Sequence, residues 1–246
     1  MNMGNSCLIF MRRASVFLFL LLFALHPLHA EDVVDHYSRS NSDPWEKFNR
    51  KIFRFNRGVD QVFFKPLSSH SEGVIPAPVT LGVRNFFSNL NEINIAVNNL
   101  LQGKFKHALS DGGRFVVNTT MGLGGLFDVA TLMNLEKHYE DFGQTFGKWG
   151  APSGPYLVIP LFGPSSVRDA VGLVGDYALD PVLYAPQTEV VVGLFILRAT
   201  SMRSDLQGVT DIIDQAALDP YAFERDSWLQ KREFDIRDGS FEDEDF

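Results

Sequence analysis

The side chains best suited to chemistry in this 246-residue sequence are few and scattered. Beyond the first 30 residues the histidines are His36, His70, His107 and His138, and the densest polar cluster is Glu136, His138, Glu140 and Asp141. Those types can ligate a divalent cation. Their close spacing is also what a solvated turn presents, so no metal is expected. Asp176 and Asp180 could share acid–base work, but Asp180-Pro181 reads equally as a helix stop. Gly122-x-Gly124-Gly125 has the outline of a dinucleotide loop, yet no strand pattern precedes it and no βαβ unit surrounds it. Close helix packing or a kink explains it better. The chain lacks a Gly-x-Ser-x-Gly elbow, a His-Glu-x-x-His pair and a phosphate loop ending in Gly-Lys-Ser/Thr. Its single cysteine, Cys7, leaves no intramolecular disulfide and no thiolate zinc site. Neither an enzyme nor a bound cofactor is expected.

What remains is a question of where the chain lives. The formal charge of −8 is unsuited to nucleic acid, which needs a basic field. Phenylalanine stands out, with 22 copies. Arg12 and Arg13 precede the apolar run Val16–Leu25, and Ala30 precedes Glu31, the pattern of a secretory signal peptide over residues 1–30. The run is too short to span a bilayer, which takes about 20 apolar residues. Removing it leaves no cysteine, which suits an oxidising envelope compartment. Residues 31–42 read as a polar tether and 235–246 as an acidic, frayed tail.

Between those ends the periodicity is helical almost throughout. Asp43 looks like an N-cap, Pro44 fits a first helical position and Glu46 completes a capping box. Trp45, Phe48, Ile52, Phe55, Val59 and Val62 then recur at steps of three and four, with Arg50, Arg54 and other cations between them. A basic helix with an aromatic face can lie in a membrane interface; packing on its own core is the plainer alternative. Pro66, Pro76 and Pro78 predict a loop. A second helix is expected at 79–101, with an apolar stripe and an opposite face of Asn85, Asn89, Asn91, Asn98 and Asn99. That face is either solvated or lines a wet surface. Further helices are expected at 104–119, 165–179, 189–217 and 220–234, with a short helix ending at Met133 and a loop or short hairpin in the glycine- and proline-rich 134–164. After the signal peptide no apolar run is long enough for a transmembrane helix.

Several ordered motifs together resemble the MlaA/VacJ family of outer-membrane phospholipid-transport proteins. They are Asp43-Pro-Trp-Glu-Lys-Phe-Asn-Arg50, Asn85-Phe-Phe-Ser-Asn-Leu90, Asn98-Asn-Leu-Leu-Gln-Gly103 and the long stretch Gly113–Ala130. Glu140–Gly147, Gly154–Pro164, Arg168-Asp169 and Asp219-Pro-Tyr221 complete the set, so the resemblance covers about 43–234. It implies an all-α ring of amphipathic helices in the inner leaflet of a Gram-negative outer membrane, with an amphipathic central channel; the short loop or hairpin near 150–164 is read from the glycines and prolines there. The resemblance also implies passage of misplaced outer-leaflet phospholipid to a soluble periplasmic carrier of the Mla pathway, beside a trimeric porin. One departure is that Glu31 occupies the position after the signal peptide where members commonly carry a lipidated cysteine, so an unlipidated N-terminus is expected.

A phospholipid's barrier is its charged head, because desolvating an ion in hydrocarbon is very costly. The asparagine face of 85–99 and the polar stretch 143–154 are candidate linings for a headgroup path. Gate candidates are Tyr156, Val158 and Phe162 in the hairpin, which read equally as core of a rigid turn, and Phe55 with Asn56 near it. Trp45, Phe48, Arg50 and Arg54 are the candidate interfacial residues. A non-transporting scaffold and a lipid hydrolase using His138 or Asp141 are the rival readings.

Overall fold

The computed structural model describes residues 43–71 and 75–240, with side chains for all of these but 69–71 and 204–216. The signal peptide, the tether with His36, the His70 side chain and the last six residues of the acidic tail lie outside the described residues.

The described chain is mostly helical. In order come α1 (Glu46–Val59), a π-helical turn (Asp60–Phe64), α2 (Lys65–Ser71), α3 (Ala77–Leu101), α4 (Phe105–Thr120), α5 (Val129–Leu132) and α6 (Phe142–Lys148). A hairpin of β1 (Tyr156–Ile159) and β2 (Gly163–Ser166) follows, then α7 (Val167–Ala178), a 3₁₀ turn (Pro181–Tyr184), α8 (Thr188–Ala216) and α9 (Pro220–Ile236). The hairpin is antiparallel, with Tyr156 opposite Ser166 and Ile159 opposite Gly163.

Helix starts follow side-chain chemistry. Asp128, Asp141, Ser166 and Asp219 accept backbone N–H bonds at the starts of α5, α6, α7 and α9, satisfying donors that a helix leaves unpaired. Asp43 departs from the expected cap. Its carboxylate does not bind the start of α1; it is buried and accepts from Asn49, Arg225 and the Tyr221 hydroxyl. Three donors converging from α1 and α9 outcompete a local cap. The expected loop after α1 is also corrected, because residues 60–71 stay helical through the π turn. Pro66 falls in the first turn of α2, where a missing N–H is tolerated. At the other end α9 reaches Ile236, and Asp238 beyond it pairs with Lys104 and Lys148, so the start of the expected frayed tail is folded.

Two close approaches need glycine. At Gly125, φ is +93° and an added Cβ would come within 2.6 Å of the Asn89 amide on α3. At Gly172 a Cβ would meet the Gly143 backbone N at 2.5 Å, so α6 and α7 touch backbone to backbone. The glycine-rich 122–125 stretch is therefore a packing device.

The packing is inverted relative to an ordinary globular core. Among the described residues only nine buried side chains are hydrophobic, while nineteen are polar or charged. Thirty-four large hydrophobic residues are exposed. The one apolar cluster joins Phe53 of α1 to Tyr156 and Val158 of β1 and Tyr221 of α9, with Ile52, Trp228 and Leu229 at its edge. No described helix is long and apolar enough to cross a membrane.

Candidate functional site

The interior is organised by ion pairs and asparagine bonds. Arg114 on α4, 1% exposed, is the central cation. Its Nε donates to Glu92 at 3.0 Å, Nη1 to the Leu135 carbonyl at 2.6 Å, and Nη2 to both Asp128 oxygens at 3.0 and 2.9 Å. Burial works to raise the Asp128 pKa, but bonds from Thr131, Asn118 and Arg114 outweigh it and hold it at about 2. Glu92 moves the other way: burial pushes its carboxyl up in spite of Lys137 and Arg114.

The asparagine face of α3 belongs to this network. Asn89 donates to Thr119, Asn99 to Asp111, and Asn98 accepts from Thr145 while donating to Asn94. Asn89, Asn98 and Asn99 are buried and so are not solvated, whereas Asn85 is half-buried and Asn91 is exposed at the cavity. A buried amide is stable only when paired, and here each joins α3 to a neighbouring element or braces a residue that does. Asparagine's poor helix propensity is offset by those bonds.

The polar cluster of 136–141 is dispersed into separate structural bonds. Glu140 accepts from Lys104 and Gln102 at 2.7 Å each, and Asp141 caps α6 while receiving both Arg232 Nη groups at 2.6 Å. His138 Nδ1 lies 3.0 Å from Asp111, and its ring stacks on His107 at 3.9 Å. Among the described residues no group of three or more His, Cys, Asp or Glu side chains is arranged to hold a metal ion.

One cavity of about 590 Å³ opens between α3, the 139–144 turn, α7, α8 and α9. Aromatic and aliphatic walls (Tyr139, Tyr177, Trp228, Leu90, Leu173, Met202) alternate with Asn91, Asn94, Gln144 and eight charged side chains. Asp180 is paired with Arg198 at 2.6 Å, and Arg232 with Asp141 and Asp169. Asp176 differs. Its Oδ1 accepts from Asn94 Nδ2 at 2.8 Å and from the Phe142 amide at 3.0 Å, with no cation in ion-pair contact. Burial, reinforced by the nearby Asp141 charge, raises its pKa to about 6.

The predicted gate and interface residues fall into three groups. Tyr156 and Val158 are each 1% exposed and sit in the small core, so of the two readings of the hairpin they take the packed one. Asn56 pins the hairpin turn, donating to the Ile159 carbonyl and accepting from the Leu161 amide. Asn49, two turns earlier on the same face, does the same for β1: it donates to the Tyr156 carbonyl and accepts from the Val158 amide. This clamp holds Leu161 at φ +68°, a costly conformation for a branched side chain. Sequence reasoning missed Asn49; its signal was an asparagine in the apolar i, i+4, i+7 row with Phe53 and Asn56. Phe162 is exposed and packs edge-on against Tyr177, a wall residue of the cavity, at 5.6 Å.

On α1 the predicted stripe is split: Phe48 and Phe55 are exposed, Ile52 packs at the edge of the small core, and Asn49 and Phe53 face in. Arg54 is exposed, and Trp45 is half-buried just before the helix. Arg50 is committed elsewhere, forming a bidentate pair with Asp219 at 2.6 and 3.1 Å while lying 4.4 Å over the Tyr221 ring. It staples α1 to α9.

A buried interior rich in charges and amides beneath many exposed apolar side chains describes a helical protein suited to contact with an apolar medium. The chain belongs to the MlaA lipoprotein family, whose model matches residues 41–235. It is 32% identical over 200 residues to "Intermembrane phospholipid transport system lipoprotein MlaA" of Escherichia coli K12, covering 80% of this chain and 79% of that protein. The Shigella flexneri protein of the same name is 34% identical, with 80% and 79% covered. An uncharacterized protein of Rickettsia bellii is 32% identical, with 85% and 86% covered. A solved structure, "Structural basis for maintenance of bacterial outer membrane lipid asymmetry", superposes with a TM-score of 0.69 at 32% identity, covering 79% of this chain and 99% of its own. The family and the two named relatives are lipoproteins, which weighs against the expected unlipidated N-terminus.

Proposed function

We propose that this protein lies in the periplasmic leaflet of an outer membrane, as a ring of helices, and lets phospholipid misplaced in the outer leaflet pass inward to a soluble periplasmic carrier, beside a trimeric porin. The observation that carries this reading is the inversion of polarity. Among the described residues thirty-four large hydrophobic side chains are exposed, most of them away from the cavity, while nineteen polar or charged ones are buried. At roughly 25 cal/mol per Å² of apolar surface, such an exterior is stable in lipid and unstable in water. The names of the relatives and the superposition point the same way.

The physics of transfer follows. A headgroup moving through hydrocarbon loses its hydration with nothing in exchange. A cavity lined by carboxylates, guanidinium groups and amides replaces that hydration with fixed dipoles and charges, while its aromatic and aliphatic walls tolerate the first acyl carbons. No covalent step is needed, and no cofactor. Within this reading Phe162, edge-on against the wall residue Tyr177, is the gate candidate nearest the cavity, and Phe55 lies on the lipid-facing side of α1. Tyr156 and Val158 hold the hairpin in place behind it.

The test is a dithionite-accessibility assay on vesicles carrying acyl-labelled phospholipid. With purified full chain reconstituted, label in the protected leaflet becomes bleachable beyond the plateau of protein-free vesicles. An unchanged plateau, with the protein shown to be inserted, contradicts the proposal and leaves the scaffold reading.

A further inference from the structure

The cavity carries an imbalance of hydrogen-bonding groups that points to a particular headgroup. Five carboxylates and three cations line it. Most are already paired with each other or with residues behind the wall, but three residues that lie in or hydrogen-bond to the turn 141–144 each keep one polar atom without a partner. Asp176 Oδ1 is bonded to the Phe142 amide and to Asn94, leaving Oδ2 without a donor. Gln144, 5% exposed, uses its Nε2 on the Tyr139 carbonyl and on Asp141, and its Oε1 is buried without a partner. Arg232 binds Asp141 and Asp169 through its two Nη groups, and its Nε is buried without a partner.

Two acceptors without donors and one donor without an acceptor describe the negative of a zwitterion. A group with several N–H donors and a positive charge satisfies Asp176 and Gln144; an anionic oxygen satisfies Arg232. A buried polar group left without a partner is costly, so a ligand that completes all three gains over one that completes only the Arg232 donor. A primary ammonium supplies three N–H bonds, whereas a glycerol headgroup brings no positive charge to a carboxylate-rich wall. The tyrosine and tryptophan side chains around the site add faces that attract a cation.

We propose that the cavity is a phosphoethanolamine-type headgroup site, with Asp176 and Gln144 taking the ammonium and Arg232 the phosphate, so that zwitterionic phospholipid is favoured over anionic phospholipid of the same chain length. This rests on the phospholipid-transport reading and names the substrate class at its site. The largely buried Asp176 carboxylate, held above its ordinary pKa by that burial, is stabilised when an ammonium arrives beside it.

Calorimetric titration of the purified full chain with dihexanoyl phosphatidylethanolamine, dihexanoyl phosphatidylglycerol and glycerophosphoethanolamine tests it. The expected result is about tenfold tighter binding of the phosphatidylethanolamine than of the phosphatidylglycerol, the worth of one charge-assisted bond. Glycerophosphoethanolamine, with the head but no tails, binds measurably if the head alone is recognised. Asp176→Asn keeps an acceptor for Asn94 and the Phe142 amide, so the fold is retained, checked by circular dichroism. In it the ratio collapses to about twofold or less, with phosphatidylglycerol binding unchanged or tighter. Asp176→Glu restores part of the ratio. A wild-type protein that prefers phosphatidylglycerol, or a ratio unchanged in Asp176→Asn, overturns the proposal. Vesicle transfer on the same preparations separates the two readings: if transport is wrong, no headgroup moves, while the binding ratio still reports on the site.

Discussion

Replacing Arg114 by methionine tests whether the polar interior is what holds the helices together. The guanidinium makes five bonds, to Glu92, Thr131, the Leu135 carbonyl and both oxygens of Asp128. Asp128 retains Thr131 and Asn118 after the change, so its loss is partial. Glu92, 1% exposed, is left with only Lys137 at 3.3 Å. Breaking a buried pair on one side costs about 3–5 kcal/mol, because a desolvated charge is stranded. For a domain of this size each kcal/mol shifts Tm by about 2–4 °C, so a drop of roughly 10 °C is expected. The double change Arg114→Met with Glu92→Leu removes the stranded charge as well, and it loses about 2 kcal/mol less than the sum of the single changes. Arg114→Lys falls between, keeping the charge without the planar fork. Thermal unfolding of the full chain in mild detergent, followed by far-ultraviolet circular dichroism, reads all of these. A methionine variant melting within about 2 °C of the parent, or strictly additive single and double changes, refutes the reasoning.

Other consequences are equally direct. Asn49→Ala removes bonds to Asp43, Tyr156 and Val158 and is expected to cost about 2–3 kcal/mol, whereas the half-buried Asn56 costs about 1 kcal/mol and lowers hydrogen-exchange protection at the Leu161 amide; equal losses from the two would contradict their different burial. Because Asp176 titrates near 6 in the fold against an unfolded value near 3.8, its ionisation opposes folding above pH 6 and that opposition fades as pH falls. Asp176→Asn is therefore expected to be more stable than the parent at pH 7.5, by up to about 3 kcal/mol, with the difference gone by about pH 4; paired melts across that range check the sign. Phe48→Glu with Phe55→Glu places charge on the outward face of α1 and is expected to lower vesicle co-flotation about tenfold or more, while unchanged flotation would show that this face does not touch lipid. Gly172→Ala drives a methyl into the Gly143 backbone and is expected to cost about 2 kcal/mol or more, read from its melting temperature.

The helices were legible because their apolar steps, capping aspartates and N-terminal prolines act locally: the expected 79–101, 104–119, 189–217 and 220–234 lie within two residues of α3, α4, α8 and α9. What the sequence hid was direction. Periodicity shows that α1 has an aromatic stripe, but an interior of ion pairs and amides turns part of that stripe outward, and no local pattern distinguishes the two cases. The same inversion explains the asparagines of α3, which look like a solvated face until Asp111, Thr119 and Thr145 arrive from elsewhere in the chain to bond them. The cavity was the least legible part. Asp176, Gln144 and Arg232 come from three separate helices, and only the contact of α6 with α7 and α9 brings them together. Asp176 was visible as a candidate acid; its lack of a counter-cation was not.

The claim that matters most is that this polar interior serves phospholipid. Outer-leaflet phospholipid, measured by surface-selective lipid modification in a strain lacking the gene and in the same strain with it restored, tests that claim in the setting where it must hold. Accumulation in the deletion strain that disappears on complementation is expected. No accumulation, in a strain whose parent carries the protein in its outer membrane, would contradict it.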